Sequence, residues 1–259
     1  MAQVKLTKNN QSLEKSLLIL EIMANAGQPM RLQDLAKAAQ MPSSTILRFL
    51  NTYIKMGYVY QDGDSLRYAL TLKLCRLTSS ISSRYTIRDM AHSHMAALSE
   101  EFQESSCLAV EENMEVIYID FIDSPDRMLR TWIRIGNRAA MHATGVGKAM
   151  LSFSPKEKLD RILREKELNS FTDNTITNEM ALRAELQGIC ESGYAIDDEE
   201  CELGARCIAA PIFDYTGEVV AAVSVSGPVN RMTLRKIDTI KPVLLKAAAE
   251  ISAHAGYEG

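Results

Sequence analysis

Two neighbouring segments between Met30 and Met56 show the spacing of apolar and polar positions that a helix produces. In each segment, apolar residues recur at i, i+3, i+4 and i+7, which places them on one face of an α-helix. The sequence predicts two short helices joined by a tight turn, with Pro42 in the first turn of the second helix and Ser43 and Ser44 as capping types. The predicted inward residues are Leu32, Leu35, Ala36 and Ala39, and then Ile46, Leu47, Leu50, Tyr53 and Ile54.

The flanking segments extend this helix pair into a larger unit. Before it, Ser12 to Ala26 has helical periodicity and stops at Gly27, a residue type that often follows a helix. After it, two β-type runs flank Asp62-Gly63-Asp64-Ser65, and Asp-Gly between such runs indicates a hairpin. Three helices followed by a hairpin predict a winged helix-turn-helix. The inward residues predicted for the first helix are Leu13, Leu17, Leu20 and Met23 or Ala24.

The outward residues at the front of the last of these helices suit contact with DNA. Small hydroxyl side chains let a helix N-terminus approach phosphates and bases, and Arg48 one turn later can reach guanine or phosphate. On these residues alone, an ordinary helical hairpin with a solvated polar face is a better interpretation than a DNA-binding one. The preceding helix and the following β-hairpin change this and favour DNA binding. The predicted DNA-contacting residues are Arg31, Ser43, Ser44, Thr45, Arg48, Asn51, Gln61 and Arg67.

From residue 86 to the end, helical segments alternate with short β-type runs. This order predicts an α+β domain in which helices pack on an antiparallel sheet. The strands are expected at Ser106 to Glu111, Glu115 to Ile122, Met128 to Ile135, Cys207 to Phe213 and Glu218 to Ser226. The predicted domains are a winged helix-turn-helix over 1–71, a linker helix over 72–85 and a second domain over 86–259.

Charge is distributed unevenly along the chain. Residues 1–80 carry a net charge of +5 and the remainder −9, which suits a protein whose first domain alone touches phosphates. No apolar run reaches the ~20 residues of a membrane span, and the polar first ten residues do not resemble a signal peptide. The five cysteines form no CxxC pair, so we expect a reducing cytoplasm, no metal site and no cofactor.

Three stretches of the second domain could form a small-ligand site. The first is the Gly-rich turn from His142 to Ala149, where a helix start could bind an anion or could simply allow close packing. The second is the acidic run from Asp197 to Glu200, for which a solvated loop is expected, at least for Asp198 and Glu200. The third is the alternating strand that contains Ser224 and Ser226, whose hydroxyls share one face and point either to solvent or into a pocket. A half-exposed strand edge is the more frequent arrangement.

An enzyme is the alternative hypothesis for these residues, with Cys207 as nucleophile and His142 as base. Cys207 opens an apolar strand, where a buried structural thiol is the more frequent case. A thiol-dependent enzyme or a metabolite-binding module without DNA regulation therefore stays a second hypothesis.

Taken jointly, the motifs resemble bacterial IclR-type transcriptional regulators from about Ser12 to the end of the chain. The first domain carries the pattern in SLEKSLLIL, LQDLAKAA and PSSTILRFLNTYIKMGYV. The second carries it in HATGVGKAML, GYAIDDEE, GARCIAAPIFD and VAAVSVSGPVNR. The resemblance implies a GAF-like effector domain that binds a small keto, hydroxy or aromatic acid. It also implies binding to a double-stranded DNA operator as a homodimer or as a dimer of dimers.

The resemblance also implies a set of pocket residues. Gly145 and Val146 would donate N–H groups to a ligand carboxylate, and the segment from Met128 to Trp132 would supply a wall. The expected effector-binding residues are Leu129, Thr131, Gly145, Val146, Asp197, Ala205, Cys207, Ser224 and Ser226. The chain departs from the family pattern at Gln40, where Gly is frequent, so a slightly different turn is expected there. Ser43 stands where Lys is frequent, which would remove a phosphate contact.

Overall fold

The structure is a computed structural model that describes residues 10–75, 86–124 and 135–259. The chain divides into two units, Met1–Arg84 and Tyr85–Gly259. In the first unit the helices are α1 (Gln11–Ala26), α2 (Leu32–Ala38) and α3 (Ser43–Met56), and the hairpin strands are β1 (Val59–Gln61) and β2 (Tyr68–Leu70). A short 3-10 turn, Leu72–Leu74, follows. Residues 76–85 of the predicted linker helix lie outside the described residues.

The core of the first unit confirms the winged helix-turn-helix pattern but corrects two of its faces. Leu35, Ile46 and Leu50 are fully buried, as predicted. In α1 the buried residues are Ile19 and Met23, whereas the predicted Leu13 and Leu17 are exposed. In α3, Leu47 and Ile54 are also exposed. A helix that packs on one side buries only a narrow stripe, so apolar residues at the margin of the predicted face remain in solvent.

The turn between α2 and α3 keeps the backbone conformation that glycine favours. Gln40 has φ of 51°, in the left-handed region, and its N–H donates to Lys37 O at 3.2 Å. Gln40 therefore adopts the left-handed conformation despite its Cβ.

The second unit contains one six-stranded antiparallel sheet between two layers of helices. The strand order is β5-β4-β3-β8-β7-β6. The strands are β3 (Ser105–Glu112), β4 (Glu115–Ile122), β5 (Arg138–Ala139), β6 (Ala195–Asp198), β7 (Ala205–Phe213) and β8 (Val219–Pro228). The helices are α4 (Ile87–Phe102), α5 (Gly145–Ser152), α6 (Lys156–Glu165), α7 (Glu179–Ser192) and α8 (Leu234–His254). The α+β prediction is confirmed, and β5 and β6 were not predicted.

Alternation along the strands gives the sheet two apolar faces. Ile208 points to the face covered by α4 and α8, and the adjacent Ala209 points to the face covered by α5, α6 and α7. Residues 125–134, which include most of a predicted strand and the predicted pocket wall, lie outside the described residues. Within the described ranges, the helices include none with the length and apolar character of a membrane span, and there is no group of three or more His, Cys, Asp or Glu side chains that could hold a metal ion.

Candidate functional site

The exposed face of α3 carries the polar residues predicted to contact DNA. Ile46, Leu50 and Tyr53 occupy the buried face, while Ser44 and Arg48 lie on the exposed side. Pro42 precedes the helix and no side chain caps it, so Ser43 and Ser44 belong to the first turn rather than to the cap. In the part of the chain that the structure describes, the guanidinium of Arg48 has no hydrogen-bond or ion-pair partner. Asn51 is exposed on the next turn and Thr45 is half-buried.

The remaining predicted DNA-contacting residues lie around the hairpin and the start of α2. Arg67 NH1 donates to Pro29 O at 3.1 Å, and Gln61 Nε2 donates to Leu66 O at 3.2 Å. These two hydrogen bonds therefore help to hold the hairpin in place. Arg31 is exposed just before α2.

The start of α5 approaches the sheet closely because two of its first residues lack side chains. Thr144 caps this helix through Oγ1, which accepts the Gly147 N–H at 3.2 Å. The first N–H groups of a helix have no acceptor within it, so those of Gly145 and Val146 remain available. A Cβ at Gly145 would lie 3.2 Å from Cys207 Sγ, whereas one at Gly147 would lie 2.3 Å from Met141 O. Gly147 is therefore required for packing, and Gly145 brings the helix start against β7.

A cavity of about 80 Å³, called here the α5 cavity, lies between the start of α5 and the sheet. It brings together every described residue of the predicted effector set, namely Gly145, Val146, Asp197, Ala205, Cys207, Ser224 and Ser226. Leu129 and Thr131 lie outside the described residues. The lining residues that were not predicted are Cys107, Tyr118, Thr144, Cys201, Glu202, Arg206 and Gly227.

Strand register explains why the predicted residues meet and how two missed ones could have been found. Ser226 pairs with Cys207, and Ser224 pairs with Cys107 on the other side of β8. Because paired residues lie on the same face, Cys107 faces the cavity with the two serines. Tyr118 lies on the same face of the neighbouring strand β4. A correct prediction of the strand pairing would have identified Cys107 and Tyr118 as residues of the cavity lining.

The two serines are buried rather than half-exposed, because β8 is a central strand of the sheet. Ser224 Oγ lies 2.8 Å from Cys107 Sγ. Ser226 Oγ is buried and has no hydrogen-bond partner among the described residues. A buried hydroxyl without a partner is unfavourable by about 1–3 kcal/mol, so a polar ligand in the cavity would relieve that penalty.

Asp197 is a buried acidic residue of the cavity lining, whereas Glu202 is exposed. Its Oδ1 accepts the N–H of Glu200 at 2.9 Å and the N–H of Cys201 at 3.2 Å. Burial raises the pKa of Asp197 to about 7, against the lowering effect of these two hydrogen bonds. Near neutral pH this carboxyl is partly protonated and can donate a hydrogen bond to a ligand oxygen.

Arg206, a cationic residue of the cavity lining, is already paired. Arg206 Nε donates to Asp198 Oδ1 at 2.7 Å, and Arg206 NH1 donates to Met232 O at 2.8 Å. An anion in the cavity would therefore be held by neutral donors and by the helix start, rather than by this arginine.

The acidic run from Asp197 to Glu200, which begins within β6, is less solvated than predicted. Asp198 is partly exposed and pairs with Arg206, whereas Glu200 is buried against Lys148 of α5, with Nζ and Oε1 2.5 Å apart. The expectation of a solvated Glu200 is wrong, because a buried lysine compensates its charge.

Cys207 and His142, the nucleophile and base of the enzyme hypothesis, line different cavities. Burial raises the pKa of Cys207 well above its usual value, so the thiol stays protonated. His142 lines a different cavity, and its Nε2 lies 3.0 Å from Asn169 O. Burial lowers the pKa of His142. This arrangement offers no activated thiolate for nucleophilic catalysis.

Two family models match the chain. The model described as "IclR helix-turn-helix domain" matches residues 12–63. The model described as "Bacterial transcriptional regulator IclR C-terminal" matches residues 79–253. The two matched ranges fall in the first and second units respectively, apart from the first residues of the second match.

Curated relatives and solved structures agree with these matches. The HTH-type transcriptional regulator KdgR of Escherichia coli is 35% identical over 259 residues, covering 99% of this chain and 98% of that protein. The transcriptional repressor IclR of Escherichia coli is 33% identical over 258 residues, covering 99% and 94%. The crystal structure of the Thermotoga maritima IclR has a TM-score of 0.65 at 33% identity, covering 95% of this chain and 99% of that one.

Proposed function

The chain belongs to the IclR family of DNA-binding transcriptional regulators, and we propose that a small organic acid bound in the α5 cavity modulates its binding to a double-stranded operator. The observation that carries this proposal is the α5 cavity itself. It joins a helix start with free N–H groups, the carboxyl of Asp197 and the unpartnered hydroxyl of Ser226. These groups suit a ligand with one carboxylate and at least one further oxygen.

The size of the cavity favours a small acid. A volume of about 80 Å³ is well below the roughly 300–1,000 Å³ of drug-sized ligand pockets. We therefore expect keto or hydroxy acids of a few carbon atoms to bind more tightly than aromatic acids.

The DNA-contacting surface that we propose is the exposed face of α3, with Ser43, Ser44, Arg48 and Asn51. Arg48 supports this assignment because its guanidinium is exposed and unpaired within the described part of the chain. A helix that presents hydroxyl groups and an arginine can enter the major groove. Such a protein would act in the bacterial cytoplasm, where the genomic DNA lies.

We also infer a homodimer that forms through α1 and pairs further on DNA. In the first unit, α1 exposes Leu13, Leu17 and Leu18, with exposed fractions of 57%, 51% and 42%. Apolar side chains grouped on one helix are a common feature of interfaces. A ligand can act through such an assembly only if its affinity differs between the arrangements that bind DNA well and poorly.

The test is a thermal-shift screen of the purified protein against pyruvate, lactate, propionate and benzoate. A ligand at 100 times its Kd should add about 2.7 kcal/mol of stability. The variant with Ser224→Ala and Ser226→Ala should lose the response yet bind DNA as before. Ser192→Ala, a serine of α7 away from the cavity lining, is the matched control and should respond like the parent. A response that survives in the double variant would place the ligand elsewhere.

A further inference from the structure

Two walls of the α5 cavity come from distant parts of the chain. One wall is the start of α5, at Gly145 and Val146. The other includes Asp197 at the end of β6 and Cys201 in the turn that follows. A ligand that touches both walls needs them at a fixed separation, so whatever joins them determines whether the pocket is formed.

A buried ion pair joins these two walls. Lys148, in α5, is 1% exposed, and its Nζ lies 2.5 Å from Glu200 Oε1 and 3.0 Å from Glu185 Oε1. Glu200 is 7% exposed, and its backbone N–H donates to Asp197 Oδ1 at 2.9 Å. Glu200 therefore links α5 to the carboxyl of Asp197, with its side chain on Lys148 and its backbone N–H on Asp197.

The turn that carries Glu200 is held from a third side. Thr175 Oγ1 donates to Glu200 O, and Thr172 Oγ1 donates to Glu199 O, each at 2.6 Å. With its backbone fixed in this way, the turn can present the Glu200 carboxylate to Lys148 in one orientation. The second oxygen, Glu200 Oε2, is buried and has no hydrogen-bond partner among the described residues.

We propose that Lys148 and Glu200 are positioning residues of the α5 cavity, whose buried ion pair holds the Asp197 turn against the start of α5 and sets the charges that the Asp197 carboxyl faces. The assignment of the cavity to an organic acid rests on the proposed function, but the coupling of these three residues does not. Neither Lys148 nor Glu200 lines the cavity, so their effect on a ligand is exerted through Asp197.

The two members of the pair act on Asp197 with opposite sign. The negative charge of Glu200 favours the protonated form of Asp197, and the positive charge of Lys148 favours the ionised form. The ionisable groups that interact with Asp197 from the surrounding elements are Lys148 of α5, Glu200 and Cys201 of the turn, Cys207 of β7 and Tyr118 of β4. The thiols and the phenol are protonated near neutral pH. Of the charged side chains in the lining, Arg206 is paired with Asp198 and Glu202 is exposed, so the charges that act on Asp197 are those of Lys148 and Glu200.

The experiment is a titration of Asp197 without any ligand. Full-length protein labelled with 13C at the aspartate carboxyl is followed by NMR, and Asp197→Asn assigns the resonance. The parent midpoint should lie near pH 7. Glu200→Gln should lower it and Lys148→Met should raise it, each by about 1 pH unit. The variant that carries both substitutions should return towards the parent value.

Glu185→Gln is the matched control, because it also removes a carboxylate partner of Lys148 but lies on α7, outside the Asp197 turn. It should move the midpoint much less than Glu200→Gln. Shifts of the same sign in Glu200→Gln and Lys148→Met, or an equal shift in Glu185→Gln, would overturn the proposal. If Lys148→Met does not fold, Glu200→Gln against Glu185→Gln still decides. A failed acid screen would count against the proposed function alone.

Discussion

The starts of α3 and α5 show how one kind of element can serve two different partners. Both helices begin with small residues, and at both the first N–H groups lack an acceptor within the helix. In α3 only one face is buried, at Ile46, Leu50 and Tyr53. In α5 every residue from Gly145 to Leu151 is buried. The first helix presents its start to solvent, and the second encloses it.

The difference in burial decides what each helix start can bind. An exposed start with Arg48 one turn later can approach a surface as large as a DNA duplex, and its affinity depends on salt. An enclosed start can be reached only by a molecule that fits a small cavity. There, fixed donors act in a medium of lower dielectric constant. Substitutions in α5 should therefore disturb stability most, and substitutions on the exposed face of α3 should disturb partner binding alone.

The largest effect is expected from Gly147→Ala. Its Cβ would lie 2.3 Å from Met141 O and 2.5 Å from Met141 Cα, and backbone atoms cannot move aside easily. We expect a loss of about 3 kcal/mol or more in the free energy of unfolding of the second unit. Urea unfolding followed by far-UV circular dichroism measures it.

The control for this prediction is Gly188→Ala in α7. A Cβ there meets no atom within 4 Å, and alanine is a better helix former than glycine. This variant should be more stable by about 0.5–1 kcal/mol. If both alanine variants lowered stability alike, the close packing of Gly147 would not be the cause.

The next largest effect is a dependence of stability on pH that belongs to the second unit. The pKa of Asp197 is about 7 in the folded chain, against about 3.9 when unfolded. Between these values the folded state holds a proton that the unfolded state has released. Stability should therefore fall as pH rises from about 4 to 7, by up to about 1.4 kcal/mol per pH unit. Urea unfolding of the parent and of Asp197→Asn at pH 5, 6 and 7 tests this.

The comparison between parent and variant isolates Asp197 from other titrating groups. Asp197→Asn keeps the acceptor for two backbone N–H groups and removes the proton exchange. The slope of stability against pH should shrink in the variant. Equal slopes in the two proteins would show that Asp197 does not hold its proton in this range.

A third effect separates DNA binding from stability. Arg48→Ala should weaken binding to a specific duplex by about 1–3 kcal/mol if the guanidinium contacts a base. Its stability should stay within about 0.5 kcal/mol of the parent, since the side chain is exposed. Fluorescence anisotropy at fixed salt, on a duplex selected from a random pool by the parent protein, measures the affinity. Unchanged affinity would remove Arg48 from the contact surface.

The spacing of apolar residues along the sequence correctly predicted the buried face of a helix where that face packs against a single neighbour. The inward faces of α2 and of most of α3 are as expected, because one apolar stripe covers one neighbour. The assignment failed for Leu13 and Leu17, where the apolar stripe of α1 is wider than the surface that the first unit covers. Periodicity reports which residues are apolar, and it cannot report how much of that face has a partner within the chain.

In the candidate site, too, some features could be predicted from the sequence and others could not. The motif resemblance supplied seven residues that line one cavity, because strand alternation and a helix start keep such residues together. The pairing of Lys148 with Glu200 could not be predicted, since the two residues are 52 positions apart and the acidic run had the composition of a surface loop. Only the tertiary structure shows that the charge of Glu200 is compensated in the interior.

The smallest expected effect concerns the turn that sets the start of α3. Gln40 holds φ of 51°, a conformation that is strained for a residue with a Cβ and free for glycine. Gln40→Gly should stabilise the first unit by up to about 1 kcal/mol, less the added entropy of glycine in the unfolded chain. Gln40→Ala retains the Cβ and is the control, which should gain nothing. Circular dichroism melts of the two variants compare them. Because the turn conformation is already left-handed, DNA affinity should be equal in both, whereas a change in affinity would mean that Gln40 itself contacts the duplex.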